Sequence, residues 1–167
     1  MIFQPVRTSR LQITVKRIAA LGPVSWFLSG TLHVFDRIVL GLSKGRTTLG
    51  EPLTGLPIVT IASKGARTGR PRSVPLVAIP DGEGLILIAS NWGRTHHPSR
   101  YYNLKASPKV AVTFRNRTRD YIAREVEGAE RDACWNKAVE AYPGYAAYEE
   151  RCTPRKIPLI VLAPSVA

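Results

Sequence analysis

The residues from Ser63 to Ser73 read Ser-Lys-Gly-Ala-Arg-Thr-Gly-Arg-Pro-Arg-Ser, which gathers Lys64, Arg67, Arg70 and Arg72 around Gly65 and Gly69. Glycines let backbone N–H groups come close to an anion, lysine adds charge, and arginine adds a bidentate fork. Two readings fit this composition: a phosphate site and a solvated hairpin tip. It is not a Walker loop, because no Gly-Lys-Ser/Thr follows at the required spacing.

Ala89-Ser90-Asn91-Trp92-Gly93 follows an apolar run and leads into His96, His97, Pro98 and the stretch to Leu104. A polar turn at a strand end that opens a helix offers hydrogen-bond donors and a partial positive charge to a ligand. A plainly capped loop has the same look. The adjacent histidines do not read as a metal site, since sequence neighbours seldom face one centre and no acid or cysteine stands at a familiar spacing. His97 reads as a cap or a local hydrogen-bond partner. Tyr142, Tyr145 and Tyr148 recur every third residue around Pro143-Gly144. Such a cluster either packs as an aromatic stripe or lines a pocket, offering phenols to a carbonyl or nitro oxygen. No serine, histidine and acid form a recognisable hydrolytic set, and Asp36, Asp81, Asp120 and Asp132 sit in structural contexts.

These residues need a scaffold, and the patterning supplies one. From residue 57 onward short β-branched runs alternate with turn residues, which predicts strands at about 57–63, 72–79, 84–91, 109–115, 119–126 and 157–163. Asp81-Gly82-Glu83-Gly84 makes a hairpin turn. Helices are predicted from His97-Pro98 to about Lys105, over about 129–142, and as a short turn over 145–151. Strands with helices set among them, and no repeating strand-helix-strand order, argue for an α+β fold: a curled antiparallel sheet or small barrel of about six strands with peripheral helices. Ahead of it, Leu28, Leu32, Phe35, Val39 and Leu42 mark a helix that Gly45 ends. The expected organisation is a helical extension over 1–45 and a ligand-binding domain over 46–167, forming one globular unit.

Charge narrows the partners. Lys and Arg number 24 against 12 acids, a net charge of +12, so the preferred ligand is anionic. With 44% hydrophobic residues the chain can bury a core without disulfides or metal. Cys134 and Cys152 lie far apart, as suits a reducing cytoplasm. Arg7, Arg10, Lys16 and Arg17 beside Leu11, Val15 and Ile18 make a basic amphipathic start, to which both core packing and contact with an anionic membrane surface remain open. Gly22, Pro23, Gly30 and His33 interrupt the apolar run at 18–35, which argues against a spanning helix.

In their order along the chain these features resemble the deazaflavin-dependent nitroreductase family, split-barrel oxidoreductases that use the reduced 8-hydroxy-5-deazaflavin coenzyme F420 and include a quinone reductase branch. The resemblance spans roughly residues 31–164. It rests on Gly65 to Pro75, Ala89-Ser90, His97-Pro98 through Tyr101-Tyr102-Asn103-Leu104 to Pro108, the tyrosine turn, and Lys156-Ile157-Pro158. It implies a split β-barrel in which Arg67, Arg72 and Ser73 hold the coenzyme's phosphate and acidic tail, with Lys64 and Arg70 as charged neighbours. It further implies that Pro75, Leu76 and Val77 flank the ring system, that Ala89, Ser90 and Asn91 border it, and that Pro98, Tyr101, Asn103 and Leu104 complete the site. Tyr142, Tyr145 and Tyr148 become substrate-side residues, with Ser90 and Tyr142 the candidates to orient the acceptor or supply a proton.

The implied reaction is hydride transfer from C5 of the deazaflavin to a quinone, enone or nitroaromatic, with the protein supplying position and electrostatics. Related split barrels bind flavin mononucleotide or haem, which is the nearest alternative. A non-enzymatic nucleic-acid binder is a distant one, since no recognisable module accompanies the charge and no nucleic acid is expected. Homodimers are common in the fold. The sequence also departs from the family pattern: Arg100 stands where tryptophan is frequent, Asn91 where lysine is frequent, and Val77 where some activating reductases have tyrosine. These departures bear on which acceptor is taken, nitroaromatics above all.

Overall fold

The computed structural model describes residues 56–165. The basic N-terminal segment, the helix expected through Leu42 and the boundary expected at residue 45 lie outside the described residues. Seven strands run β1 (Ile58–Lys64), β2 (Pro71–Val77), β3 (Ile79–Asp81), β4 (Gly84–Ile88), β5 (Lys109–Phe114), β6 (Arg117–Glu125) and β7 (Leu159–Pro164). Three helices accompany them: α1 (Ser99–Ala106), α2 (Gly128–Ala141) and α3 (Gly144–Cys152).

Every strand pair is antiparallel, and the order is β2-β1-β5-β6-β7-β4-β3. β2 and β3 therefore stand at opposite ends of the sheet, yet only Ala78 separates them in the chain. In a flat sheet with strands about 4.8 Å apart the two ends would lie roughly 29 Å from each other, far beyond the reach of one residue. The sheet must roll up. Ala78 has no exposed surface, and its N–H donates to the Pro57 carbonyl at 3.0 Å where the two ends meet. The product is the expected α+β split barrel.

Both faces of the rolled sheet are covered around β4, which is why its sequence is a continuous apolar run. Leu85 and Leu87 point into the barrel with Val59, Ile61, Val112 and Leu162. Ile86 and Ile88 point outward, into a second layer with Cys134, Ala138 and Cys152 of α2 and α3. Tyr101 and Leu104 of α1 join the interior cluster, so α1 lies against the barrel contents.

Two strand expectations are corrected. The single strand predicted over 72–79 is broken at Ala78, and its continuation becomes β3, giving seven strands in place of about six. The strand predicted over 84–91 ends at Ile88, because Asn91, Trp92 and Gly93 adopt φ of 50°, 60° and 75° and form a tight turn that no strand accommodates.

Candidate functional site

The basic loop is the tip of the β1–β2 hairpin, closed by the pairing of Lys64 with Pro71. Gly65 N–H donates to the Arg70 carbonyl at 2.9 Å, and Gly69 N–H to the Gly65 carbonyl at 2.8 Å. Gly69 has φ of 66°, which glycine adopts without the cost a β-carbon imposes. The Ala66 N–H donates to Asn103 Oδ1 at 2.9 Å and ties the tip to α1, 37 residues away. Elsewhere four cations are paired, Lys105 with Glu125, Arg124 with Glu130, Arg131 with Glu149 and Lys137 with Asp81, while others such as Lys109, Arg117, Arg119 and Lys156 are not paired among the described residues. Lys64, Arg67, Arg70 and Arg72 are exposed and have no hydrogen-bond or ion-pair partner among the described residues. Four cations unpaired among the described residues, on a backbone held at both ends, make a ready anion site.

On β2 the side chains alternate between faces. Arg72 shares a face with Leu76, which packs on the barrel interior, while Ser73 and Pro75 lie on the face of Val77, which packs on the outer layer. Arg72 and Ser73 thus flank β2 from opposite sides. Since β2 ends the sheet, a ligand lying along its free edge meets both.

The second segment is anchored by Arg155, whose importance the sequence reading missed. Its guanidinium donates to the Ser90 carbonyl at 2.8 Å, to the Arg94 carbonyl at 2.8 and 3.1 Å, and to the Ala89 carbonyl at 3.4 Å, and it meets His97 Nδ1 at 3.3 Å. Burial and the neighbouring Arg155 lower the His97 pKa, consistent with a neutral ring that accepts this bond. His97 is a hydrogen-bond partner, but of Arg155, 58 residues on, and not the cap or local partner expected. Asn91 Nδ2 donates to the His96 carbonyl at 3.0 Å, holding the positive-φ turn shut. Gly93 presses on α3: a β-carbon there would sit 3.1 Å from the Tyr148 carbonyl oxygen. Ser90, at the root of this turn, is 8% exposed, and its hydroxyl has no partner among the described residues. A buried hydroxyl left unpaired carries a desolvation cost that a ligand can relieve.

The three tyrosines come together. Their ring centroids lie 5.1, 6.0 and 6.1 Å apart, and the Tyr142 and Tyr148 hydroxyls bond at 3.2 Å. Tyr142 folds back over Gly144, where a β-carbon would overlap its ring. Burial raises the pKa of Tyr142 and Tyr145 far above the ordinary phenol value, so both stay protonated donors. Tyr145 is 7% exposed, and its hydroxyl has no hydrogen-bond partner among the described residues. Trp92 leans on Tyr148 with centroids 6.2 Å apart, joining the turn to the aromatic cluster.

The residues of α1 divide by face. Leu104 and Tyr101 face the interior, and the Tyr101 hydroxyl donates to Glu125 at 3.0 Å while Lys105 donates to it at 3.3 Å. Tyr101 therefore supports the helix through its hydroxyl. Asn103 holds the basic loop, and Pro98 is buried at the helix start. Among the described residues no group of three or more metal-ligating side chains occurs, and no helix is long and apolar enough to cross a membrane.

A polyanionic coenzyme fits what these residues leave open among the described ones: the loop cations and the Ser90 hydroxyl without partners, and the protonated phenols of the tyrosine cluster that Trp92 joins to the turn. Fold and site together define a split-barrel oxidoreductase. The chain belongs to the F420H(2)-dependent quinone reductase family, whose sequence profile matches residues 38–164. The F420H(2)-dependent quinone reductase Rv1261c of Mycobacterium tuberculosis is 31% identical over 135 residues, covering 78% of this chain and 88% of that protein. Among solved structures, an F420-H2 dependent reductase (FDR-A) is 42% identical, covering 64% of this chain and 94% of that one with a TM-score of 0.59. A domain-swapped dimer is 36% identical, covering 85% of this chain and all of that one with a TM-score of 0.61.

Proposed function

We propose that this protein reduces a quinone with reduced deazaflavin, binding the coenzyme's acidic tail on the Lys64–Ser73 loop and the acceptor against Tyr142, Tyr145 and Tyr148. Bound coenzyme supplies a hydride from C5. The chain's own residues do the rest. Lys64, Arg67, Arg70, Arg72 and Ser73 hold the tail; Pro75, Leu76, Val77, Ala89, Asn91, Pro98, Asn103 and Leu104 frame the ring. A quinone that accepts hydride carries two added electrons and a negative oxygen, and one proton completes the quinol. Ser90 and Tyr142 donate hydrogen bonds to that oxygen as its charge develops, and the proton that completes the quinol comes from water. The observation that carries this reading is the Ser90 hydroxyl, buried and unpaired among the described residues at the strained turn.

The test is single-turnover oxidation of bound reduced deazaflavin by a naphthoquinone, followed by absorbance. The double variant Ser90→Ala, Tyr142→Phe is expected to lose roughly 100-fold in the chemical step, the scale of one or two lost transition-state donors. Unchanged turnover when chemistry limits the rate would refute the roles, and tight binding of flavin mononucleotide but not deazaflavin would refute the coenzyme. A cytoplasmic homodimer with its basic N-terminal segment at a membrane surface completes the proposal; likeness to a domain-swapped dimer supports the dimer.

A further inference from the structure

A phenol has one hydrogen to donate. Tyr142 directs its own at the acceptor oxygen, so the 3.2 Å bond between the Tyr142 and Tyr148 hydroxyls must then run from Tyr148 to Tyr142. Tyr148 becomes the far end of a two-member chain, in which a stronger first donor makes a stronger second one. The Arg151 guanidinium, in the last turn of α3, lies over the Tyr148 ring 4.8 Å from its centroid. Its Nε donates to the Ala147 carbonyl at 3.1 Å, which sets the side chain against the ring. The positive-φ turn packs against both residues: a β-carbon on Gly93 would stand 3.3 Å from Arg151 Nε and 3.1 Å from the Tyr148 carbonyl oxygen. Tyr148 is buried, Arg151 is exposed, and no acid among the described residues pairs with that arginine. A cation over an aromatic face draws on the ring's electrons and makes its hydroxyl the better donor. Burial raises the Tyr142 pKa, and the Arg151 charge pulls the other way.

We infer that Arg151 is a positioning residue for the reduction: it holds and polarises Tyr148, and through the two hydroxyls it strengthens the hydrogen bond that Tyr142 gives to the acceptor oxygen. The inference rests on the function proposed above and deepens it. The acceptor oxygen is neutral in the bound quinone and negative once hydride has arrived, so a stronger donor favours the transition state over the ground state. Arg151 therefore acts on the rate of the chemical step and leaves acceptor binding nearly untouched. Its effect needs both hydroxyls in series, and it belongs to the charge, not to the bulk of the side chain.

Single-turnover oxidation of bound reduced deazaflavin by saturating naphthoquinone tests this in the full-length protein. Arg151→Gln should slow the step about fourfold, the scale of one cation over an aromatic face. Arg151→Lys should recover most of that loss, and Arg151→Met, which keeps the packing without the charge, should not. In a Tyr148→Phe background the same Arg151→Gln change should have almost no effect, because the charge has lost its route to the oxygen. Coenzyme affinity, read by fluorescence titration, should match the parent's in every Arg151 variant. An unchanged rate in Arg151→Gln, equal losses with and without the Tyr148 hydroxyl, or a failure of lysine to rescue overturns the role. So does a coenzyme affinity that falls in step with the rate, which marks an arginine that only holds the turn. A readout without turnover separates this from the wider function. In protein labelled at tyrosine Cζ for carbon NMR, Arg151→Gln should move the Tyr148 resonance most, Tyr142 less, and spare Tyr121 of the barrel interior. A Tyr148 resonance that stays in place refutes the polarisation. If Tyr142→Phe alone runs at the parent rate, the donor role given to Tyr142 above fails, and the Cζ shifts still decide whether Arg151 acts on Tyr148.

Discussion

The guanidinium of Arg155 meets acceptors that lie 58 to 66 residues earlier in the chain. It fixes the carbonyls of Ala89, Ser90 and Arg94 and so sets where the Ser90 hydroxyl stands. Arg155→Gln removes the fork and leaves several carbonyls unpaired, which should cost about 2 kcal/mol and lower the melting temperature by roughly 4–8 °C. Coenzyme affinity should fall about tenfold or more as the turn loosens; stability lost with affinity kept would show that the turn does not touch the ligand. The pH profile supplies a second reading. His97 has a folded pKa below its ordinary 6.5, so as pH falls past that value the unfolded chain takes up a proton the folded one resists, and stability declines. Arg155→Gln removes part of that depression, so the acid limb should become shallower. The sequence made the loop cations and the tyrosines visible because they are grouped locally. It left Arg155 hidden, since its meaning depends on contacts across the barrel, although the neighbouring Lys156-Ile157-Pro158 match marked the place.

Among the elements, α1 is the piece that ties the basic loop to the barrel, through Asn103 to the loop and through Tyr101 and Leu104 to the interior. Asn103→Ala deletes a single bond between exposed elements, so its effect on stability should stay near 1 kcal/mol or below. Its effect on coenzyme affinity should be larger, about fivefold, because the loop must then be ordered by the ligand itself. Titration of coenzyme fluorescence beside thermal melts separates the two; equal affinity in parent and variant would show that the loop is held by its own turn bonds alone. Elements with plain period-two or period-three-to-four patterning were legible within a residue or two, as at β5, α2 and β7. What escaped was the break at Ala78. A small apolar residue inside a β-branched run looks like any strand position, and only barrel closure demands that the chain turn there. The end of β4 escaped for a related reason: Trp92 adopts a left-handed conformation that its residue type does not announce, although Asn91 before it is of a type that favours one.

For the molecule as a whole, the net charge of +12 raises a question that neither the loop nor the helix answers: whether it acts locally or as a field. The cations paired on the helices and β6 contribute little beyond their partners, whereas the hairpin tip projects four that are unpaired among the described residues. A diffuse field acts on encounter, and contact cations act on residence. Stopped-flow binding of the coenzyme should therefore show an association rate that falls about tenfold as ionic strength rises from about 0.05 M to about 0.5 M, since the Debye length contracts severalfold over that range. The dissociation rate should change far less. The double variant Arg67→Gln, Arg70→Gln removes two contacts and a small share of the total charge, so its dissociation should speed up about tenfold or more while most of the salt slope of association survives. If the slope disappears with those two residues, the loop alone is the electrostatic target. If association ignores salt in the parent protein, its basic excess has no part in capturing this coenzyme and must serve another surface.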